Sequence, residues 1–242
     1  MSLTLGCDPE LICRINGKFT SANNYFKQNS SMGLDGNNSV AELRPGYSES
    51  PIDLTSKIRT VLEYGHECNE ELEFYSGHYV DGYPIGGHIH VAAKPTSELV
   101  DSLDTVLTAL SNCIDDKVQR KNREHTGYGQ RKQYRCKEYG MEYRTPGSWL
   151  LSPSTTLVTL TLTKLVTIGV TEDGLNFTDL KGRFHSCTFL QKLKSLFKTV
   201  PSDCKEGLTE LELMLGRSTI DWNQNILPNW GIGEAAQLRE AA

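Results

Sequence analysis

The sequence lacks most of the short signatures that would assign a chemistry outright. There is no G-x-x-x-x-G-K-[ST] phosphate loop, no G-x-G-x-x-G turn, no G-x-S-x-G elbow and no H-E-x-x-H pair. A backbone-amide cradle for phosphate is therefore excluded, and any phosphate site must be built from side chains and metal. A cysteine pattern is missing: the seven residues are scattered, odd in number and never spaced C-x-x-C. That argues against a disulfide frame or a zinc ribbon and fits free thiols in a reducing compartment. No apolar run approaches the ~20 residues that cross a bilayer, and MSLTLGCDPE has neither a basic leader region nor a long apolar one. The expectation is a soluble, unexported, cytoplasmic protein with no membrane partner. The formal charge of −5 also removes tight, non-specific nucleic-acid binding from the reading, because phosphate affinity scales with the cations presented. Internal repeats, low-complexity blocks and linkers are missing as well, so 1–242 is read as one domain.

What is present suits a folded core, with 242 residues and 38% hydrophobic content. Short β-type runs at 4–7, 11–15, 39–43, 72–80 and 88–93 alternate with the turn dipeptides Asn16-Gly17, Asp35-Gly36 and Asp81-Gly82. Such short connections favour antiparallel pairing. Ser50-Pro51 opens a helix burying Leu54, Ile58, Val61 and Leu62 and ending near Gly65. Thr96 or Ser97 opens a longer one whose apolar face runs from Leu99 through Ile114 to Val118. Ser152-Pro153 opens a third, to about Val170, although its threonines and valines also fit a strand. Two shorter helices follow, one marked by Phe189 to Val200 and one by Leu208, Leu211 and Met214.

Chemistry concentrates in four pairs of polar residues spaced by two within strand-like sequence: Asp8/Glu10, Glu42/Arg44, His88/His90 and Glu142/Arg144. Residues i and i+2 of a strand project from one face, which turns Leu43, Ile89 and Tyr143 to the other. Any single pair also fits the solvated face of an ordinary amphipathic strand. The set is harder to dismiss, since Gly86-Gly87 before His88 permits close approach of another segment or a ligand. Converging carboxylates at Asp8, Glu10, Glu42 and Glu142 would raise one another's pKa unless a cation neutralised them. Oxygen ligands with one or two imidazoles suit Mg²⁺ or Mn²⁺ better than structural Zn²⁺. Arg44, Arg144, Arg131 and Arg135 could grip phosphate oxygens bidentately. The basic stretch 117–137, with Glu124 as its one acid, is either a solvated helix end and loop or a site for an anion.

Gly6-Cys7-Asp8-Pro9-Glu10-Leu11, Ala41-Glu42-Leu43-Arg44-Pro45, Gly86-Gly87-His88-Ile89-His90 and Glu142-Tyr143-Arg144-Thr145-Pro146 with Ser148-Trp149-Leu150 together resemble the phage-type carboxylate-amine ligases, type 2, of the glutamine-synthetase-like superfamily. The resemblance covers about 5–155. It implies an α+β fold, a curved and mainly antiparallel sheet with helices on its outer face. It implies ATP- and Mg- or Mn-dependent joining of a small-molecule or peptide carboxylate to an amine through an acyl-phosphate. Asp8, Glu10, Glu42, His88 and Glu142 then correspond to metal ligands, His90, Arg131 and Arg135 to nucleotide contacts, and Arg144 and Arg44 to catalytic positions. Asp35 is a further acid whose spacing to Glu42 does not match the family pair, and it stays outside the set. A guanidino-kinase-like phosphotransferase on the same fold and a non-catalytic binding or inhibitory module are the alternatives. A phage-encoded member would act in the cytoplasm of a bacterial host. The sequence does not decide for or against an oligomer.

Overall fold

The computed structural model describes residues 3–36, 38–180, 187–197, 199–216 and 220–233. Its strands are β1 (Leu5–Ile15), β2 (Lys18–Thr20), β3 (Met32–Leu34), β4 (Ala41–Leu43), β5 (Tyr47–Ser48), β6 (Leu72–Tyr75), β7 (Tyr79–Val80), β8 (Tyr83–Pro84), β9 (Gly87–Val91), β10 (Tyr134–Lys137) and β11 (Gly140–Tyr143). The α-helices are α1 (Pro51–Cys68), α2 (Ser97–Ile114), α3 (Lys117–His125), α4 (Pro153–Thr171), α5 (Cys187–Leu196) and α6 (Lys205–Leu215). Nine strands form one sheet in the order β10-β11-β9-β1-β4-β3, with β2, β5 and β6 also paired to β1, and β7-β8 is a separate hairpin. All the described pairings are antiparallel, as the short connections require. The α+β class is the expected one.

β1 organises the sheet, and it is one strand where the sequence suggested two. Asp8-Pro9-Glu10 does not interrupt it, because Pro9 sits opposite Gly87, whose amide bonds Pro146 O (3.0 Å), while the Glu10 amide reaches Gly86 O (2.8 Å). The expected strand 72–80 is divided between β6 and β7. Asn16-Gly17 and Asp81-Gly82 turn the hairpins with φ above zero at all four residues.

Cys7, Leu43, Ile89 and Tyr143 share one hydrophobic cluster with Leu54 and Ile58 of α1, Leu103 and Val106 of α2, and Val158 and Leu162 of α4. The helices thus cover one face of the sheet. α2 ends at Ile114 and does not continue to Val118, which is exposed on α3. The break is chemical: extended Asp115 lies 2.5 Å from buried His78, and Asp116 caps α3 by accepting from the amides of Val118 and Gln119. α1 runs one turn past Gly65, to Cys68.

α4 resolves the helix-or-strand ambiguity of its threonines. Thr159, Thr163, Thr167 and Thr171 each donate to the carbonyl four residues back (2.8 Å), so the first three, which are buried, are satisfied within the helix. By length and composition α4 could cross a bilayer, yet 78% of that window is buried inside the protein. Its Lys164 bonds Asp203 and Glu49 O (2.5 and 2.6 Å). Side chains 187–190 of α5 fall outside the described residues.

Candidate active site

Strand register assembles the site. Glu10 is directly opposite Glu42, Asp8 opposite His88, and His90 opposite both Gly6 and Glu142. Directly opposed residues share a face, so all six polar side chains project from the side that the helices do not cover. Glu10, His88 and Glu142 are only 1–2% exposed and Glu42 9%. That is not the solvated face of an amphipathic strand. The bare Gly86-Gly87 backbone has two separate reasons. A Cβ on Gly87 would come within 2.2 Å of Gly147 O, and one on Gly86 within 2.4 Å of His88 Nε2.

The acceptors fall into two clusters, each with ligand atoms within 4.8 Å of one another: Asp8, His88 and Glu142, and Glu10, Asp35 and Glu42. In the first, His88 Nδ1 is 3.4 Å from Asp8 Oδ1 and 3.9 Å from Glu142 Oε1. Both Asp8 Oδ1 and His88 Nδ1 are buried without a hydrogen-bond partner. A bare acceptor in a buried site is costly unless something donates to it or coordinates it. Carboxylate oxygens with a single imidazole fit a hard divalent cation, so the donor set and the orphaned atoms agree.

The two clusters differ electrostatically. Burial and the Asp35 carboxylate push Glu10 up to about 8, and burial and Asp8 push Glu42 up to about 7. Burial opposes ionisation of Asp8 and Glu142 too. The His88 and His90 imidazoles facing it nevertheless hold Asp8 well below the carboxylate range, and Lys137 and Arg144 hold Glu142 down. Burial lowers His88, favouring the neutral ring.

The basic residues divide. Glu142 is contacted by Lys137 (2.7 Å), by Arg135 (3.7 Å) and, most closely, by Arg144. Arg44 pairs with Glu42 but also donates to the carbonyls of Gln28, Ser30 and Leu34, lying across Gly33 so closely that no Cβ would fit there. It braces the loop that carries Asp35. Arg131 is not brought to Glu142. It lines a separate cavity of about 360 Å³ with Thr108, Ser111 and Asn112 of α2. Arg123 is buried and donates to Thr145 O (2.8 Å) and Pro146 O (2.9 Å), fixing the chain after β11.

Beside the first cluster opens a largely apolar cavity of about 600 Å³, lined among others by Leu5, Gly6, Tyr47, His90, Ala92 and Tyr139. Tyr139 stacks on His90 at 5.7 Å and places its hydroxyl 2.8 Å from His90 Nδ1. Asp35, a further acid whose spacing spoke against it, is brought into the second cluster, and two contributors were not singled out from the sequence: Lys137 and Tyr128. Lys137 follows Arg135 by two, the same spacing that marked the other pairs. Tyr128, between two glycines, carried no such signal.

A family model described as phage phiEco32-like COOH.NH2 ligase-type 2 matches residues 5–214. The chain belongs to that family. The match extends past the four motifs and through α4 to α6, so the helical layer is part of the family's domain. No curated protein matches the chain. As a COOH.NH2 ligase it joins a carboxylate to an amine.

Proposed function

We propose that this ligase is ATP-dependent and activates its carboxylate as an acyl-phosphate, with Mg²⁺ or Mn²⁺ bound at the two acidic clusters. The observation that carries the reading is the pair of buried acceptor clusters side by side, with unpartnered Asp8 Oδ1 and His88 Nδ1, against three cationic side chains around Glu142. Asp8, His88 and Glu142 would hold one cation, and Glu10, Asp35 and Glu42 a second. Bound there, the cations would neutralise triphosphate charge.

The remaining work belongs to the chain's own groups. Arg144, Arg135 and Lys137 exchange Glu142 for phosphate oxygens, and Arg144 does so with a planar fork suited to two of them. The apolar cavity beside His90 and Tyr139 takes the nucleotide base. The substrate carboxylate oxygen attacks the γ-phosphorus and ADP leaves. The amine nitrogen then attacks the acyl carbon, loses a proton and expels phosphate. Positioning and charge neutralisation suffice for both steps, so no protein nucleophile is needed.

The test is ATP hydrolysis in the presence of a pool of carboxylates and hydroxylamine, a small amine that traps acyl-phosphates as hydroxamates. Mg²⁺-dependent ADP, phosphate and hydroxamate in equal amounts support the reading. A phosphorylated product that accumulates without hydroxamate contradicts it.

A further inference from the structure

We propose that Tyr128 is a positioning residue that fixes the tautomer of His88 and couples the two acidic clusters. The inference rests on the cation-site reading above.

The Tyr128 hydroxyl donates to Glu10 Oε1 at 2.7 Å and lies 2.9 Å from His88 Nε2. Glu10 belongs to one cluster and His88 to the other, so one phenol touches both. A phenol has a single proton. As a cation ligand Glu10 is a carboxylate, which can only accept, and the Tyr128 proton goes to it. His88 Nε2 must then bring its own hydrogen to the phenol oxygen, which leaves Nδ1 as a bare lone pair. That atom is the buried, unpartnered one, and it faces Asp8 Oδ1 and Glu142 Oε1. In the other tautomer Nδ1 would carry a hydrogen toward those oxygens, and the imidazole could not ligate. Metal-binding histidines depend on such a partner on the far nitrogen, and its loss typically weakens affinity about 10- to 100-fold.

The phenol is held in place by a dedicated support. Tyr128 sits between Gly127 and Gly129, both at positive φ (77° and 68°). A Cβ on Gly129 would lie 2.0 Å from Arg123 Nη1, so the loop passes flush against that guanidinium. Arg123 in turn lies 5.0 Å over the Tyr128 ring while bonding the Thr145 and Pro146 carbonyls. The turn after β11, the tyrosine and the histidine are thus one rigid chain of contacts. On the opposite side the Gly86 amide bonds the second Glu10 oxygen at 2.7 Å, which leaves that carboxylate little freedom to rotate.

The test compares wild type with Tyr128→Phe by two readouts independent of turnover. The first is Mn²⁺ affinity by electron paramagnetic resonance. The second is the ¹⁵N spectrum of the His88 side chain, taken metal-free at pH 9 and again with Mg²⁺. The expected results are Nε2-protonated His88 in wild type, a mixture of tautomers in the variant, and Mn²⁺ binding weaker by about 10- to 100-fold. A wild-type spectrum showing Nδ1-protonated His88 at pH 9 overturns the proposal, whether or not the variant folds. So does a folded variant that binds Mn²⁺ like wild type. Failure of wild type to bind either metal would refute the cation sites themselves, while the pH 9 spectrum still reads the tautomer.

Discussion

Glu10 and Glu42 lie directly opposite each other on adjacent antiparallel strands, and both are buried. Like charges at such a position repel at close range. The fold holds them there together with Asp35, and the result is two carboxyl groups that resist ionising near neutral pH. On the cation-site proposal, the arrangement lowers the stability of the metal-free protein and would be the source of affinity for a cation.

The sign of the pH dependence follows. Glu10 and Glu42 have folded values of about 8 and about 7 against 4.5 in the reference state, so the folded protein binds more protons in that window. Their contribution is fully present below the unfolded value and is lost as pH rises through the folded ones. Metal-free protein should therefore melt at progressively lower temperature from about pH 5 to about pH 8. Saturating Mg²⁺ should flatten that slope, and Mg²⁺ binding at pH 7 should release protons into a weak buffer. Asp8 and Glu142, shifted down, act in the opposite sense and only toward the acid side. Thermal melts across pH with and without Mg²⁺ check this, and a metal-free profile that is flat or rises from pH 5 to 8 counts against it.

Glu142 and Arg144 point the same way with opposite charge, and substitutions can separate their roles. Glu142→Gln keeps shape but removes an anionic ligand, so Mn²⁺ affinity and turnover should both fall while the fold persists. Arg144→Lys keeps charge and loses the planar fork, so metal affinity should hold while kcat drops by ~10²–10³. Metal titration and ATP turnover on both variants decide the matter. If Arg144→Lys behaves as wild type and Glu142→Gln unfolds, the pair is a structural salt bridge.

Gly87 tests the packing beneath the site. An alanine Cβ would meet the Gly147 carbonyl at 2.2 Å and the Trp149 ring at 2.5 Å, and the Trp149 indole already donates to Gly87 O. Backbone cannot yield as a flexible side chain can. Gly87→Ala should cost about 1–3 kcal/mol in urea unfolding. A midpoint equal to wild type would mean that the β9 approach to Gly147 is looser than described.

How much of this was legible in the sequence depends on the range of the signal. The i, i+2 pairs survived because strand parity is a local property: whichever strands become neighbours, Asp8 and Glu10 still share a face, and so do His88 and His90. The register that set Glu10 against Glu42 was not local, and neither was the fold of the loops. Asp35 reaches its cluster because Arg44 pins the 28–34 carbonyls, an event that spacing to Glu42 does not encode. Arg123 read as one charge in a basic stretch, yet it is buried against three consecutive carbonyls, those of Arg144, Thr145 and Pro146. The helix ending at Ile114 seemed to continue through Val118 because apolar periodicity does not register the pull of His78 on Asp115.

The central claim is that two acidic clusters on one sheet face are cation sites of a ligase. Its most direct test is anomalous scattering from crystals of the protein grown with Mn²⁺ and a non-hydrolysable ATP analogue. Two manganese peaks are expected, one bonded to Asp8, His88 and Glu142 and one to Glu10, Asp35 and Glu42, at ligand distances of ~2–2.6 Å, with Arg144 or Lys137 turned from Glu142 to phosphate. Crystals that hold the nucleotide elsewhere and show Glu142 still clasped by Lys137 and Arg144, with no manganese at either cluster, would contradict it.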